Sequence, residues 1–267
     1  MKQLVVALVL LLVLVQLSGT PKTTISAPVL AAEPSHLIVH APASLPVTAK
    51  AYGVFDVESG ELLLAYNEEA ELPVASVTKL FTAAAALRAA DTPLTITAAD
   101  VATEGRAGKL HAGDEYSVHE LLFPLLLESS NDAATALERV VGPVVVAGRE
   151  FGDAAGLSSR NIASVHSLVT EVRSLYLTEP HIFDITKLSQ KVGEYTGWIN
   201  NSPVRDLPGY QGGKHGYTEA AGRTLTAIFK EDSLGGHELG YIILGSTDIK
   251  RDLIALRQVV EDSVELQ

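Results

Sequence analysis

Residues 51–66 read Ala-Tyr-Gly-Val-Phe-Asp-Val-Glu-Ser-Gly-Glu-Leu-Leu-Leu-Ala-Tyr. Two β-like runs, 51–57 and 61–66, flank Glu58-Ser59-Gly60, a pattern that predicts a hairpin. Two more β-like runs come late in the chain, at 223–230 and 239–244, before an amphipathic helix over 248–264. Helical segments lie between these extremities. Residues 76–90 are dominated by Ala and Leu and predict a buried helix. Residues 118–127 predict a second apolar helix, 132–140 a third, and 161–196 are helical in period and more polar. Strands at both ends with helices between predict an α+β fold, in which one antiparallel sheet forms from both chain ends, packed with helices and joined to a helical lobe.

Outward from that frame, the first residues read differently. Lys2 precedes an unbroken apolar run over 4–15, and Val29-Leu30-Ala31 precedes Ala32 as a small-residue cleavage pattern. A run this short fits an export signal or an N-terminal tether better than a spanning helix, which needs about 18 apolar residues. Residues 1–32 are therefore set apart, 33–48 are an Ala/Pro/Ser-rich linker, and 49–267 are expected to form one catalytic domain. The expected location is extracytoplasmic. Apolar residues make up 47% and charged residues 19% of the 267, which excludes a disordered chain. The net charge is −12 with no basic stripe, so nucleic acid is not an expected partner. The chain has no cysteine, which removes disulfides, thiolate zinc sites and thiol nucleophiles. No compact histidine–carboxylate spacing suggests a metal, His36 and His40 fall in the linker, and neither a Gly-x-Ser-x-Gly elbow nor a phosphate-binding glycine loop occurs. No cofactor is expected.

The chemistry narrows to Ser76-Val77-Thr78-Lys79. A Ser-x-x-Lys pair is weak by itself, since 19 serines and 10 lysines in 267 residues produce about 0.7 by chance. The plain reading is a helix-capping serine with a lysine on the next turn. Context favours more. The pair opens an apolar helix, so Ser76 and Lys79 share a face one turn apart and Lys79 is expected to be partly desolvated beside the hydroxyl. Desolvation lowers the pKa of a lysine and makes it a usable base, and a helix start supplies backbone N–H groups for an oxyanion. Ser129-Ser130-Asn131 stands at a junction between two apolar helices, and Gly213-Lys214-His215-Gly216-Tyr217 precedes a β-like run. Ser159-Arg160-Asn161 and Lys191-Val192-Gly193 repeat the same residue types without those contexts and are rejected.

These stretches, with Phe55-Asp56-Val57, Ala112-Gly113-Asp114, Asp132-Ala133-Ala134 and Ala155-Gly156-Leu157-Ser158, resemble the serine-type D-Ala-D-Ala carboxypeptidases, the low-molecular-weight penicillin-binding proteins. The resemblance covers about residues 51–260 and implies a β-lactamase/transpeptidase-like fold. It also implies roles: Ser76 as nucleophile on the bond between two D-alanines of a peptidoglycan stem peptide, Lys79 as base, and Ser129 as proton relay. Asn131 would bind the substrate amide, Lys214 would attract the terminal carboxylate, and the N–H groups of Ser76 and Tyr217 would hold the oxyanion. β-Lactams would acylate Ser76, as inhibitors.

Two departures from the family pattern stand out. His215 replaces the Thr of the family's Lys-Thr-Gly, whose hydroxyl helps bind the substrate carboxylate, and the segment between Asn131 and Phe151-Gly152 is short. These departures motivate one alternative, a degenerate peptidoglycan-binding homologue; the other is a D,D-endopeptidase of the same fold, which differs from a carboxypeptidase in groove shape. A class A-like β-lactamase lacks its Glu-x-x-Leu-Asn signature here.

Overall fold

The computed structural model describes residues 37–39, 45–105 and 108–266; the apolar run, its cleavage pattern, His36 and His40 lie outside them. Five strands form one antiparallel sheet: β1 (Ala51–Asp56), β2 (Leu62–Tyr66), β3 (Tyr210–Thr218), β4 (Gly222–Glu231) and β5 (His237–Ser246). Their spatial order is β3-β4-β5-β1-β2, so the two ends of the chain meet where β5 pairs with β1, from Leu239↔Asp56 to Leu244↔Ala51. The helices are α1 (Thr78–Arg88), α2 (Asn131–Val141), α3 (Val165–Thr178), α4 (Pro180–Lys187) and α5 (Ile249–Ser263).

β1 is buried on both faces, and the strand alternation sorts its side chains into two cores. Ala51 and Phe55 join the core built with α1, α2 and α3, where Leu80, Leu121, Leu137 and Val172 are fully buried. Tyr52 and Val54 join the other core, with Leu253, Leu256 and Val260 of α5. Asp248 caps α5 by accepting from Arg251 N at 3.1 Å. Within α5, buried Asp252 accepts from Thr48 N at 2.9 Å, Thr48 Oγ1 at 2.8 Å and Ser246 Oγ at 2.6 Å, which clasps the start of the domain to its end.

Three local expectations are corrected and a fourth is extended. Part of the predicted linker is a strand, Leu37–Val39, which pairs antiparallel with Val264–Leu266. Residues 118–127 are not one α-helix: turns lead into a π-helix over Pro124–Glu128. Pro124 has no N–H to give the preceding turn, and its carbonyl accepts from Ser130 N at 3.0 Å across the wider winding. The helical period over 161–196 holds only for α3 and α4, after which Gln190–Val192 and Gly197–Ile199 form a hairpin. The Lys214 motif does precede the run at 223–230, now β4, but it also lies within a strand of its own, the edge strand β3, which pairs with β4. Among the described residues no helix is long and apolar enough to cross a membrane.

Candidate active site

Ser76 sits in a 3-10 turn, Ala75–Val77, immediately before α1. It is not a capping serine: the cap position is Val77, and no side chain caps the helix. The residue before it, Ala75, is held at φ +48, a left-handed conformation that costs an L-residue roughly 1–2 kcal/mol. One turn on, Lys79 is fully buried, and its Nζ lies 2.9 Å from Ser76 Oγ. Nζ also lies 2.8 Å from Asn131 Oδ1 and 2.6 Å from the Ala155 carbonyl. Two of these three oxygens can only accept. Nζ donates to both of them and stands within proton-transfer reach of the serine hydroxyl, the placement a general base requires.

The Ser129-Ser130-Asn131 turn is built by the π-helix ending. Ser129 takes a left-handed φ of +63, and Ser130 starts α2 by accepting from Ala133 N at 3.0 Å. That break aims Ser129 and Asn131 into the site. Lys214, on β3 and buried, donates from Nζ to Ser129 Oγ at 2.9 Å and to its neighbour's carbonyl, His215 O, at 2.9 Å. Asn131 Nδ2 is held by Glu104 O at 2.6 Å, which fixes the amide orientation that presents Oδ1 to Lys79. The structure therefore brings Ser76, Lys79, Ser129, Asn131 and Lys214 together from three segments. With His215, Gly216 and Tyr217 they surround or underlie one cleft of about 300 Å³. Gly216 fits there because it has no side chain: a Cβ would stand 2.5 Å from Ser76 N. The β3 backbone thus presses against the serine amide just before Tyr217.

Sequence reasoning missed the support beneath this cluster. Asp153 accepts backbone N–H bonds from Ala155 at 2.8 Å, Gly156 at 2.5 Å and Leu157 at 3.0 Å, and a shorter one from Ser158. It winds residues 153–158 into a loop that presents the Ala155 carbonyl to Lys79. Asn161, from the rejected Ser159-Arg160-Asn161, is fully buried and donates to Asp153 O at 2.9 Å and Thr78 Oγ1 at 3.1 Å. Thr82 Oγ1 adds a bond to Ala154 O at 2.8 Å. The loop is thereby tied to the helix that carries Lys79. Lys191, of the other rejected motif, lies 4.8 Å above the Phe123 ring, on the hairpin. A run of short polar residues after Phe151 was the available signal, but its partners are tertiary.

Asp132, next to Asn131, is fully buried, and both of its carboxylate oxygens lack a hydrogen-bond partner among the described residues. Burial, with Asp100 repelling it, lifts its carboxyl to about 6 from an ordinary 3.8. Asp100 behaves oppositely: burial pushes its carboxyl up, but Arg139, at 2.7 and 3.0 Å, and Thr97 outweigh that and hold it low. Below pH 3.8 the Asp132 carboxyl is protonated in both folded and unfolded chains and contributes no pH dependence. As the pH rises to about 6 the unfolded chain ionises first, so stability falls, and the full loss persists above. Asp132→Asn is expected to raise stability at pH 8 by on the order of 2 kcal/mol and to leave it little changed near pH 3.5. Thermal melts at the two pH values check this; an equal shift at both would contradict it.

Comparison with known proteins places the chain in a family. Residues 37–144 match the family model of the S11 peptidases, D-alanyl-D-alanine carboxypeptidase. A D-alanyl-D-alanine endopeptidase of Haemophilus influenzae is 30% identical over 224 residues, which span 74% of this chain and 76% of the relative. The chain belongs to the D-alanyl-D-alanine carboxypeptidase family. Another S11 relative, D-alanyl-D-alanine carboxypeptidase DacB2 of Mycobacterium tuberculosis, is 29% identical over 66% of this chain and 69% of its own length. The same fold occurs in solved structures. A D-alanyl-D-alanine carboxypeptidase from M. tuberculosis superposes with a TM-score of 0.71 at 23% identity, covering 83% of this chain and 95% of that one. Penicillin-binding protein D2 of Listeria monocytogenes, in its cefotaxime-bound form, gives 0.69 at 21% identity, over 82% of this chain and 98% of that one. The stretch matched to the S11 model contains Ser76, Lys79, Ser129 and Asn131, whereas Lys214 lies beyond it.

Proposed function

We propose that this chain is a serine D-Ala-D-Ala carboxypeptidase acting on peptidoglycan stem peptides, with Ser76 as nucleophile. The observation that carries this reading is the 2.9 Å contact between Ser76 Oγ and Lys79 Nζ, whose other oxygen partners are the Asn131 amide and the Ala155 carbonyl. Lys79 takes the Ser76 proton as Oγ attacks the carbonyl between the two D-alanines. The oxyanion is held by the backbone N–H groups of Ser76 and Tyr217. Ser129, bonded to Lys214, passes a proton to the departing amine, the C–N bond breaks, and D-alanine leaves. Water then cleaves the Ser76 ester and restores the hydroxyl. The amide edge of Asn131 orients Lys79 and meets the substrate peptide, while Lys214 contributes positive charge from below.

A β-lactam, whose strained amide mimics the dipeptide, acylates the same oxygen. Labelling by a fluorescent penicillin, together with D-alanine release from a pentapeptide ending in D-Ala-D-Ala, is therefore expected of the wild type. Both are expected to vanish in Ser76→Ala. Neither signal in the wild type would sink the enzyme reading and favour a peptidoglycan-binding homologue. Cleavage of cross-linked dimers is the second reading, favoured by the endopeptidase relative, and a dimeric muropeptide in the same assay tests it. Residues 1–32 are read as an export signal or tether and the remainder from 49 onward as the catalytic domain, so the protein would meet its substrate outside the cytoplasm; recovery from the cytoplasmic fraction would refute this.

A further inference from the structure

A peptide ending in D-Ala-D-Ala carries a carboxylate on the residue that leaves, and the cleft must answer that charge. Lys214 is recessed: it is buried, lies behind Ser129 and is engaged by the Ser129 hydroxyl and the His215 carbonyl. Position 215 offers an imidazole, whose charge changes with pH. Among the described residues lining the cleft, one has a permanent cation at its surface: Arg223, on β4. Arg223 pairs across the ladder with Tyr217 and shares its sheet face, and its guanidinium carbon lies 5.5 Å from the centre of the Tyr217 ring. A guanidinium supported on a ring face keeps its N–H edge available for a two-point contact with a carboxylate. The pairing of β4 with β5 slips between Arg223 and Leu225, an irregularity of the kind that re-aims a side chain beside an active site. Arg88, Arg139, Arg149, Arg205 and Arg257 each have a carboxylate partner, whereas Arg223 joins none of the ion pairs among the described residues. Its charge is available to a ligand.

We propose that Arg223 recognises the carboxylate of the leaving residue and so sets the preference of this cleft for peptides with a free C-terminus. The inference rests on the peptidase reading and adds a specificity residue to it. The test compares a D-Ala-D-Ala peptide as free acid with its C-terminal amide. In the wild type the acid is expected to be the better substrate by kcat/KM. Arg223→Gln is expected to lower kcat/KM for the acid by about 10- to 100-fold, the range of a charge-assisted contact, and to move the amide far less, so that the acid-to-amide ratio collapses. Arg223→Lys should retain an intermediate ratio, and His215→Thr, at the other position that could meet the carboxylate, should change the ratio far less than Arg223→Gln does. Titrating the same two peptides into Ser76→Ala, with and without Arg223→Gln, reads recognition without turnover. A wild type that turns over neither peptide defeats the peptidase reading, and the titration still decides the role of Arg223. An acid-to-amide ratio unchanged by Arg223→Gln, one collapsed by His215→Thr instead, or no discrimination in the titration overturns the proposal.

Discussion

Lys79→Met is expected to slow acylation of Ser76 by about a thousand-fold, within the range that a positioned general base contributes, while the protein still folds. The side chain is completely buried, so an unbranched apolar replacement fills nearly the same space. What it removes is specific. Ser76 Oγ loses the group 2.9 Å away that can accept its proton, and no other amine stands at that position, because Lys214 is bonded to Ser129 instead. Asn131 Oδ1 and the Ala155 carbonyl lose a donor, a penalty of about 1–3 kcal/mol for each group left unsatisfied, offset by no longer burying a basic group. The time course of fluorescent-penicillin labelling measures the rate, and a thermal melt checks the fold. Labelling at the wild-type rate would mean that some other group deprotonates Ser76.

Gly156→Ala is expected to suppress acylation by about a hundred-fold or more without touching any reacting group. Gly156 has φ +84, and a Cβ there would lie 2.0 Å from the Ala75 carbonyl oxygen, 2.4 Å from its carbon and 2.9 Å from Ser76 N. Every obstructing atom is backbone, so the clash cannot be relieved by rotating a side chain. Either the loop 153–158 retreats, taking the Ala155 carbonyl from Lys79, or the Ala75–Ser76 peptide moves and displaces Oγ. A displacement near 1 Å at a reacting centre costs roughly a hundred-fold. Gly113→Ala is the control: its φ is +97, but nothing lies within 4 Å of the added methyl group. It carries the backbone strain without the clash and should lose stability with acylation intact. Equal losses in the two variants would show that strain, rather than contact with Ser76, governs the effect.

The sheet could be read from the chain because β1, β2, β4 and β5 advertise themselves through alternating or continuous apolar residues, and Ser76 with Lys79 through a polar pair at the head of an apolar helix. The edge strand β3 was hidden. Gly212, Gly213 and Gly216 depress strand propensity over the very residues that carry Lys214, and Gly216 is needed because Ser76 N occupies the space of its side chain. The π-helix was hidden because residues 118–127 have the composition of an ordinary helix, and its winding is decided by Pro124 and by what Ser130 must cap. Asp153 and Asn161 were hidden for another reason. Their hydrogen bonds go to backbone groups and to Thr78, and no residue type or spacing announces which carbonyl a distant helix will meet. Asn161 even belongs to a triplet that looked like a failed copy of Ser129-Ser130-Asn131, yet it braces the loop on which Lys79 depends.

Lys79 finds Asn131 across 52 residues of sequence and Ala155 across 76, while Ser76 is only three away. The local pair exists in any state of the chain; the two remote acceptors exist only when helix, turn and loop have assembled. An unfolded or half-folded molecule therefore carries an ordinary alcohol beside an ordinary ammonium and is chemically inert toward an acylating agent. Reactivity at Ser76 is in this sense a census of completed molecules, since the site is whole only once the last segment closes.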